Sequence, residues 1–332
     1  MGRWIFWGCI AAAAILLALS LGAIHFSLVS MARFMRDFIQ GKDPYLEQQI
    51  FFNLRAPRVF ASFLTGGILA CCGYFLQQLF RNPVIEPGMI GTSSGAAFGA
   101  SIYIVFGQGI AWLPTEAGFF ISALLGGLLA TLFVFFITGF RKHPSVVVLL
   151  VTGIAVNALF TSGIAFVSYL ARDPQARSIT FWGLGMFSNA HWFQVITLCL
   201  LTFLMLIGFN HAIKTIKILQ IGDDNAQLLG INVFRFQVFM IFFIVVLVAL
   251  CTAFFGVISF VGLIIPHIVH LRFKVTYENS VWKVWLLGCI FLVLADLLSR
   301  QLMSPVELPI GIVTSLVGVP MFISALKSRL WK

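Results

Sequence analysis

The 332-residue chain is 60% hydrophobic and only 10% charged, with a mean hydropathy of +1.03, which excludes a soluble globular domain. Its net charge of +10 comes from basic residues placed singly at the ends of apolar blocks. That pattern fits membrane topology and argues against a nucleic-acid partner.

Apolar blocks of about 20 residues recur from end to end, each long enough to cross a hydrocarbon layer roughly 30 Å thick as a helix. The predicted spans are about 4–29, 58–79, 88–108, 116–139, 145–169, 190–210, 234–254, 257–271, 281–299 and 308–326. Met1 to Ser30 has a basic start but no small-x-small cleavage site, so it is expected to be a retained first span rather than a signal peptide. Phe234 to Leu271 as one helix would be about 57 Å long. Gly256, Gly262 and Pro266 therefore predict a break and a second, shorter helix. The longest polar connections are Arg33 to Pro57 and Ala171 to Ser178.

Ten crossings put both termini on one side. Of the 21 basic residues, thirteen fall on that face: Arg3, Arg81, Arg141, Lys142, Lys214, Lys217, Arg235, Arg272, Lys274, Lys283, Lys327, Arg329 and Lys332. The positive-inside rule places the termini in the cytoplasm. On the opposite face Arg55, Arg58 and Arg300 sit at helix boundaries. They either snorkel or pair with Asp296 and Glu307, or they form an outward basic rim for an acidic partner.

Between two long apolar blocks lies a polar island, Lys217 to Asn232. Asp223 or Asp224 is expected to cap a helix of about two turns, and Gly230 to close it in the left-handed conformation. Ile221, Leu228, Leu229 and Ile231 offer apolar side chains to a neighbour. The island is either a solvated loop or a docking helix through which a soluble partner pushes on the membrane part.

The sequence contains no G-x-x-x-x-G-K-[ST] loop, no H-E-x-x-H, no Cys/His quartet and no G-x-S-x-G elbow. Transport driven by nucleotide would need another subunit to hydrolyse it. Cys9, Cys71, Cys72, Cys199, Cys251 and Cys289 all fall in apolar blocks without metal or redox spacing and read as small core residues. The 36 phenylalanines read as lipid-facing bulk rather than a stacking site for a flat ligand.

Three further stretches carry information. The first joins Asn53-Leu54-Arg55-Ala56-Pro57-Arg58 to Arg81-Asn82-Pro83-Val84-Ile85-Glu86-Pro87-Gly88. The second is Gly256-Val257-Ile258-Ser259-Phe260-Val261-Gly262, ending at Pro266-His267. The third is Ala295-Asp296-Leu297-Leu298-Ser299-Arg300 with Val306-Glu307-Leu308-Pro309-Ile310-Gly311. With the polar island they resemble, over roughly Ile50 to Lys327, the permease subunits of ABC importers for iron-siderophore complexes, haem and vitamin B12, the FecCD transport family.

The resemblance implies an all-α, polytopic membrane protein of about ten transmembrane helices, a type II ABC importer permease like that for vitamin B12. Residues 1–332 then form a single permease domain in the bacterial cytoplasmic (inner) membrane. It implies a second permease copy, two cytoplasmic ABC ATPases that bind the ATP–Mg, and a periplasmic or lipid-anchored substrate-binding protein; the chain itself would carry no cofactor and no metal. The coupling helix would span about 218–232, through Leu219, Gln220, Gly222, Asp223, Asp224, Ala226, Leu228, Leu229 and Gly230. Arg55, Arg58 and Arg300 match positions that receive acidic residues of the binding protein. A path lined by small polar residues suits a bulky chelate, with Thr152, Gly153, Asn157, Thr161 and Ser162 on the fifth span as candidates.

The chain departs from the family after Pro266-His267. His270 stands where an Arg is usual, and Arg272 and Lys274 are candidates for the displaced charge. His267 and His270 share a helix face, but no carboxylate or thiol near in sequence completes a metal site. Two rivals remain. A proton- or sodium-driven secondary transporter would need carboxylates near the midplane, for which Asp296 and Glu307 are the candidates. A membrane-embedded enzyme would use Asp296, Arg300 and Glu307.

Overall fold

A computed structural model describes residues 2–22, 24–107, 115–139, 146–272 and 280–330, and among these the regular structure is helical, with no strand. The order is α1 (Gly2–Ser20), α2 (Leu28–Ile39), α3 (Leu46–Ile50), a π turn (Phe51–Arg55), α4 (Ala56–Leu79), a 3-10 turn (Pro87–Ile90), α5 (Thr92–Phe106), α6 (Thr115–Thr138), α7 (Val146–Leu170), α8 (Asp173–Gly183), α9 (Trp192–Leu219), α10 (Asp223–Leu228), α11 (Val233–Phe255), α12 (Val261–Arg272), α13 (Ser280–Gln301) and α14 (Ile310–Leu330). Six described stretches, built on α4, α6, α7, α9, α11 and α13, are long and apolar enough to cross a membrane; α1, α5, α12 and α14 are shorter apolar helices. These ten coincide with the ten predicted spans.

Helix α4 is the axis of the bundle, buried along almost its whole length. Small residues allow this. A side chain at Gly66 would strike the backbone of Gly288 in α13, and one at Gly73 would strike the backbone of Gly262 in α12. Such contacts bring helices close where lipid supplies no hydrophobic drive for association. The same device joins α5 to α6, where Gly95 and Gly99 abut the backbone of Gly126 and Ser122.

The break in 234–271 falls at residues 256–260. Gly256 leaves α11 at φ +76, and Phe260 enters α12 at φ +70. Gly262 and Pro266 do not break the chain but lie inside α12. Pro266 has no N–H to give to the carbonyl four residues back. Gln77 of α4 supplies that bond, its Nε2 donating to Gly262 O at 3.2 Å.

Other expectations are corrected. The first helix ends at Ser20, not 29. Arg33 to Pro57 is not a polar loop but carries α2 and α3. Ser27 caps α2, which buries Met31 and Phe34 and leaves Leu28, Met35 and Ile39 exposed. Lys42 donates to Asp37 at 2.8 Å and holds that carboxyl below its usual range. Ala171 to Ser178 largely belongs to α8, whose Gln175 accepts the Arg172 N–H. Helix α9 runs on to Leu219 because Ala212, Ile213, Ile216 and Leu219 all bury against the core. Among the described residues more phenylalanines are exposed than buried, but Phe34, Phe75, Phe187, Phe209 and Phe255 are fully buried, and Phe75 stacks on Phe209 at 3.8 Å. Four cysteines are buried as expected, whereas Cys9 and Cys199 are exposed.

Candidate functional site

Two polar constellations lie at opposite ends of α4, about 30 Å apart by helical rise. The first surrounds α10. The helix is short because Gly222, at φ +122, starts it and Gly230, at φ +85, stops it, with Ile231 N donating back to Ala226 O at 3.1 Å. Gly222, rather than either aspartate, is the N-cap; Asp223 and Asp224 occupy the first turn, where the helix dipole favours negative charge. Leu219 and Ala226 are buried and anchor the unit to the bundle. Leu228 (85% exposed) and Leu229 (65%) project away from it, beside exposed Ile221, Asp224 and Gly230.

This unit is tied to α4. Arg81, at φ +50 just past the helix, pairs with Asp223. Gln220 Nε2 donates to Gln78 O at 2.9 Å. Gln78 Nε2 in turn lies 3.4 Å from His270 Nε2, while His270 Nδ1 is 2.8 Å from Pro266 O. A carbonyl only accepts, so Nδ1 carries the proton and Nε2 accepts from Gln78. The divergent His270 thus belongs to a chain of contacts running from the α10 unit through α4 to α12. Lys274 lies outside the described residues.

The second constellation surrounds the N-terminus of α4. Arg58 directs Nε and Nη2 at Asp296 (2.9 to 3.2 Å) and Nη1 at both oxygens of Glu307 (2.8 Å each). Arg300 completes the group, its Nε 3.1 Å from Asp296 Oδ2 and its Nη atoms donating to Leu21 O and Ala18 O at the end of α1. Arg55 donates to Ile24 O at 2.7 Å and lies over the Phe26 ring at 4.9 Å. Both readings of these arginines therefore bear on one cluster. Arg58 and Arg300 are buried and paired with the two carboxylates, and the three arginines and two carboxylates sum to a formal charge of +1.

The residues proposed along α7 do not all share a face: Gly153, Asn157 and Thr161 fall on one stripe at four-residue spacing, and Thr152 and Ser162 lie off it. Thr152 is buried, and a side chain at Gly153 would strike Met89 O. Asn157 donates to Gly88 O at 3.2 Å and accepts from Ser94 Oγ at 2.5 Å, so it faces the 3-10 turn and α5. Thr161 and Ser162 are exposed, as are Val151, Ile154 and Phe166.

Glu86 was missed. Its Oε1 accepts from Phe260 N at 2.6 Å, inside the bundle, and so satisfies the backbone where α12 begins. Irregular backbone at membrane depth survives only when protein groups meet its N–H and C=O. An acidic residue between Pro83 and Pro87 reads as a wet turn; the signal that pairs it with the break is the break's own unsatisfied donors. Glu86→Ala should lower the unfolding temperature while Glu86→Gln, which keeps an acceptor oxygen, should not; thermal denaturation in detergent measures the difference, about 1–3 kcal/mol for an orphaned buried donor.

A match to the FecCD transport family covers residues 10–328. The hemin transport system permease protein HmuU of Yersinia pestis is 32% identical over 275 residues, 82% of each chain. The vitamin B12 import system permease protein BtuC of Vibrio parahaemolyticus is 33% identical over 278 residues, 83% of this chain and 82% of that one. A solved structure of an ABC transporter in an inward-facing conformation superposes with a TM-score of 0.82 at 28% identity, covering 99% of this chain and all of the other. This multi-pass membrane protein belongs to the FecCD transport family and is a permease subunit of an ABC importer.

Proposed function

We propose that this permease carries a bulky metal chelate, haem or cobalamin across the bacterial cytoplasmic membrane, and that neighbouring subunits supply both energy and selection. The observation that carries this reading is the placement of the two constellations at the ends of one buried helix. Exposed Leu228 and Leu229 suit a groove on a cytoplasmic ATPase, which binds the ATP–Mg. Through Gln220, Gln78 and Arg81, a push on α10 reaches α4 and α12 directly. At the other end, Arg55, Arg58 and Arg300 form the seat for an acidic substrate-binding protein. The termini and α10 then lie in the cytoplasm, in accord with the positive-inside bias.

A second copy of the chain completes the pathway. Helix α7, whose surface is mostly uncovered in a single chain, supplies one wall through Thr161 and Ser162, while Thr152 and Asn157 hold it against α5. The relatives named above include haem and vitamin B12 permeases, which supports a planar chelate or corrinoid as cargo.

The test is to express the chain with the ATPase of the same transport system and measure vanadate-sensitive ATP hydrolysis in the purified complex. Co-purification at one ATPase per permease, with hydrolysis stimulated by the binding protein, is the expected result. A chain that purifies alone and transports without the ATPase would contradict it.

A further inference from the structure

The two carboxylates of the Arg58 cluster differ in exposure. Asp296 is 1% exposed and wedged between Arg58 and Arg300, with no room to leave. Glu307 is 44% exposed and stands on the 302–309 connection between α13 and α14. Between them they engage all three Arg58 nitrogens, Asp296 taking the Nε–Nη2 edge and Glu307 taking Nη1 with both oxygens. A carboxylate from a docking protein therefore pairs with both terminal nitrogens of Arg58 only by displacing Glu307 from Nη1.

We infer that Glu307 is a built-in stand-in for the partner's carboxylate. It covers the outer nitrogen of Arg58 while the permease is undocked and gives up that place to a glutamate or aspartate of the substrate-binding protein. This inference rests on the docking reading of the arginines given above. Exchange of one carboxylate for another on the same guanidinium conserves charge-assisted hydrogen bonds, so Arg58 is never left buried and uncompensated. Asp296 keeps Arg58 aimed throughout, and Glu307 can turn to solvent by side-chain rotation alone. A small cavity beside the pair, lined by Arg58, Ser188, Asp296, Ser299 and Glu307, has room for about one water when they separate. Exposed Leu302, Met303 and Val306 flank the site, so the surface that fits it carries a carboxylate ringed by apolar side chains. The consequence is weak, reversible docking, because the partner competes with an internal ligand present at high effective concentration.

The experiment measures binding of the fluorescently labelled substrate-binding protein of the same transport system to the permease–ATPase complex in lipid nanodiscs. The complex carries the wild-type chain, Glu307→Gln, Arg58→Gln or both substitutions. Glu307→Gln is expected to bind about three- to tenfold more tightly, since the internal competitor loses its charge. Arg58→Gln is expected to bind at least tenfold more weakly, and adding Glu307→Gln to it should give no further gain. Should Arg58→Gln fail to assemble, Arg58→Lys, which keeps the charge but not the two-edged geometry, takes its place in the cycle. Unchanged or weaker binding for Glu307→Gln, with Arg58→Gln impaired, overturns the stand-in and leaves the docking reading intact. Unchanged binding for both overturns the docking reading and the inference together.

Discussion

Replacing Leu228 and Leu229 by aspartate should abolish ATPase coupling while leaving the permease folded. Both side chains point away from the bundle, so no core contact is lost; Ala226, Leu219 and the Arg81–Asp223 pair still hold α10 in place. Desolvating two carboxylates in an apolar groove of the ATPase is another matter. Central apolar anchors of interfaces cost at least about 2 kcal/mol each when truncated, and a buried unpaired charge costs more. The pair should thus weaken association by 1,000-fold or more. Co-purification with the ATPase, read alongside the melting temperature of the permease alone, separates this from misfolding. Gln220→Ala should behave differently: the ATPase remains bound, but its stimulation falls, because the tie to Gln78 O is cut rather than the docking face.

Asp296→Asn should produce the largest loss of stability among single substitutions at the Arg58 end. Asp296 accepts from Arg58 through two nitrogens and from Arg300 through Nε. Removing its charge leaves Glu307 paired with Arg58 and removes the ion-pair partner that Arg300 has in Asp296. Breaking a buried ion pair on one side costs about 3–5 kcal/mol, corresponding to roughly 5–15 °C in melting temperature for a chain of this size. The buried thiols of Cys71, Cys72, Cys251 and Cys289 provide the readout, since a maleimide dye reaches them only on unfolding. Exposed Cys9 and Cys199 are replaced beforehand to remove background. A melting temperature within 2 °C or so of wild type would mean that the cluster is wetter than its burial implies.

The same residues show what the sequence alone makes legible. All ten apolar helices, six of them long enough to cross a membrane, follow from hydropathy, because a segment in hydrocarbon must satisfy its own backbone. The break before α12 follows from length, and the left-handed Gly230 from the polar island. The end of α9 does not: Lys214 and Lys217 look like the start of a loop, but the helix continues because the face bearing Ile213, Ile216 and Leu219 still packs. Helix α2 is also hidden, since an amphipathic segment outside the spans has no length constraint to announce it. Pro266 misleads for a local reason, as its missing hydrogen bond is restored by Gln77 from another helix.

Side-chain pairing is legible only as alternatives. Arg58 is 238 residues from Asp296 and 249 from Glu307, and sequence spacing gives no more than the option of pairing. For α7 the failure is geometric: Thr152 and Thr161 are nine residues apart, two and a half helical turns, and so point to opposite sides. Glu86 is not legible because its partner is a backbone N–H, which has no sequence signature.

A conduit energised through α10 moves its cargo only when ATP is hydrolysed on that face. The most direct measurement is accumulation of haem or cobalamin in proteoliposomes containing the permease, its ATPase and its binding protein, with ATP supplied only on the α10 face. Accumulation that requires ATP on that face, and that disappears with the Leu228→Asp, Leu229→Asp substitution, is the expected result. Accumulation driven by a proton or sodium gradient in liposomes holding the permease alone would contradict it and make the chain a secondary transporter.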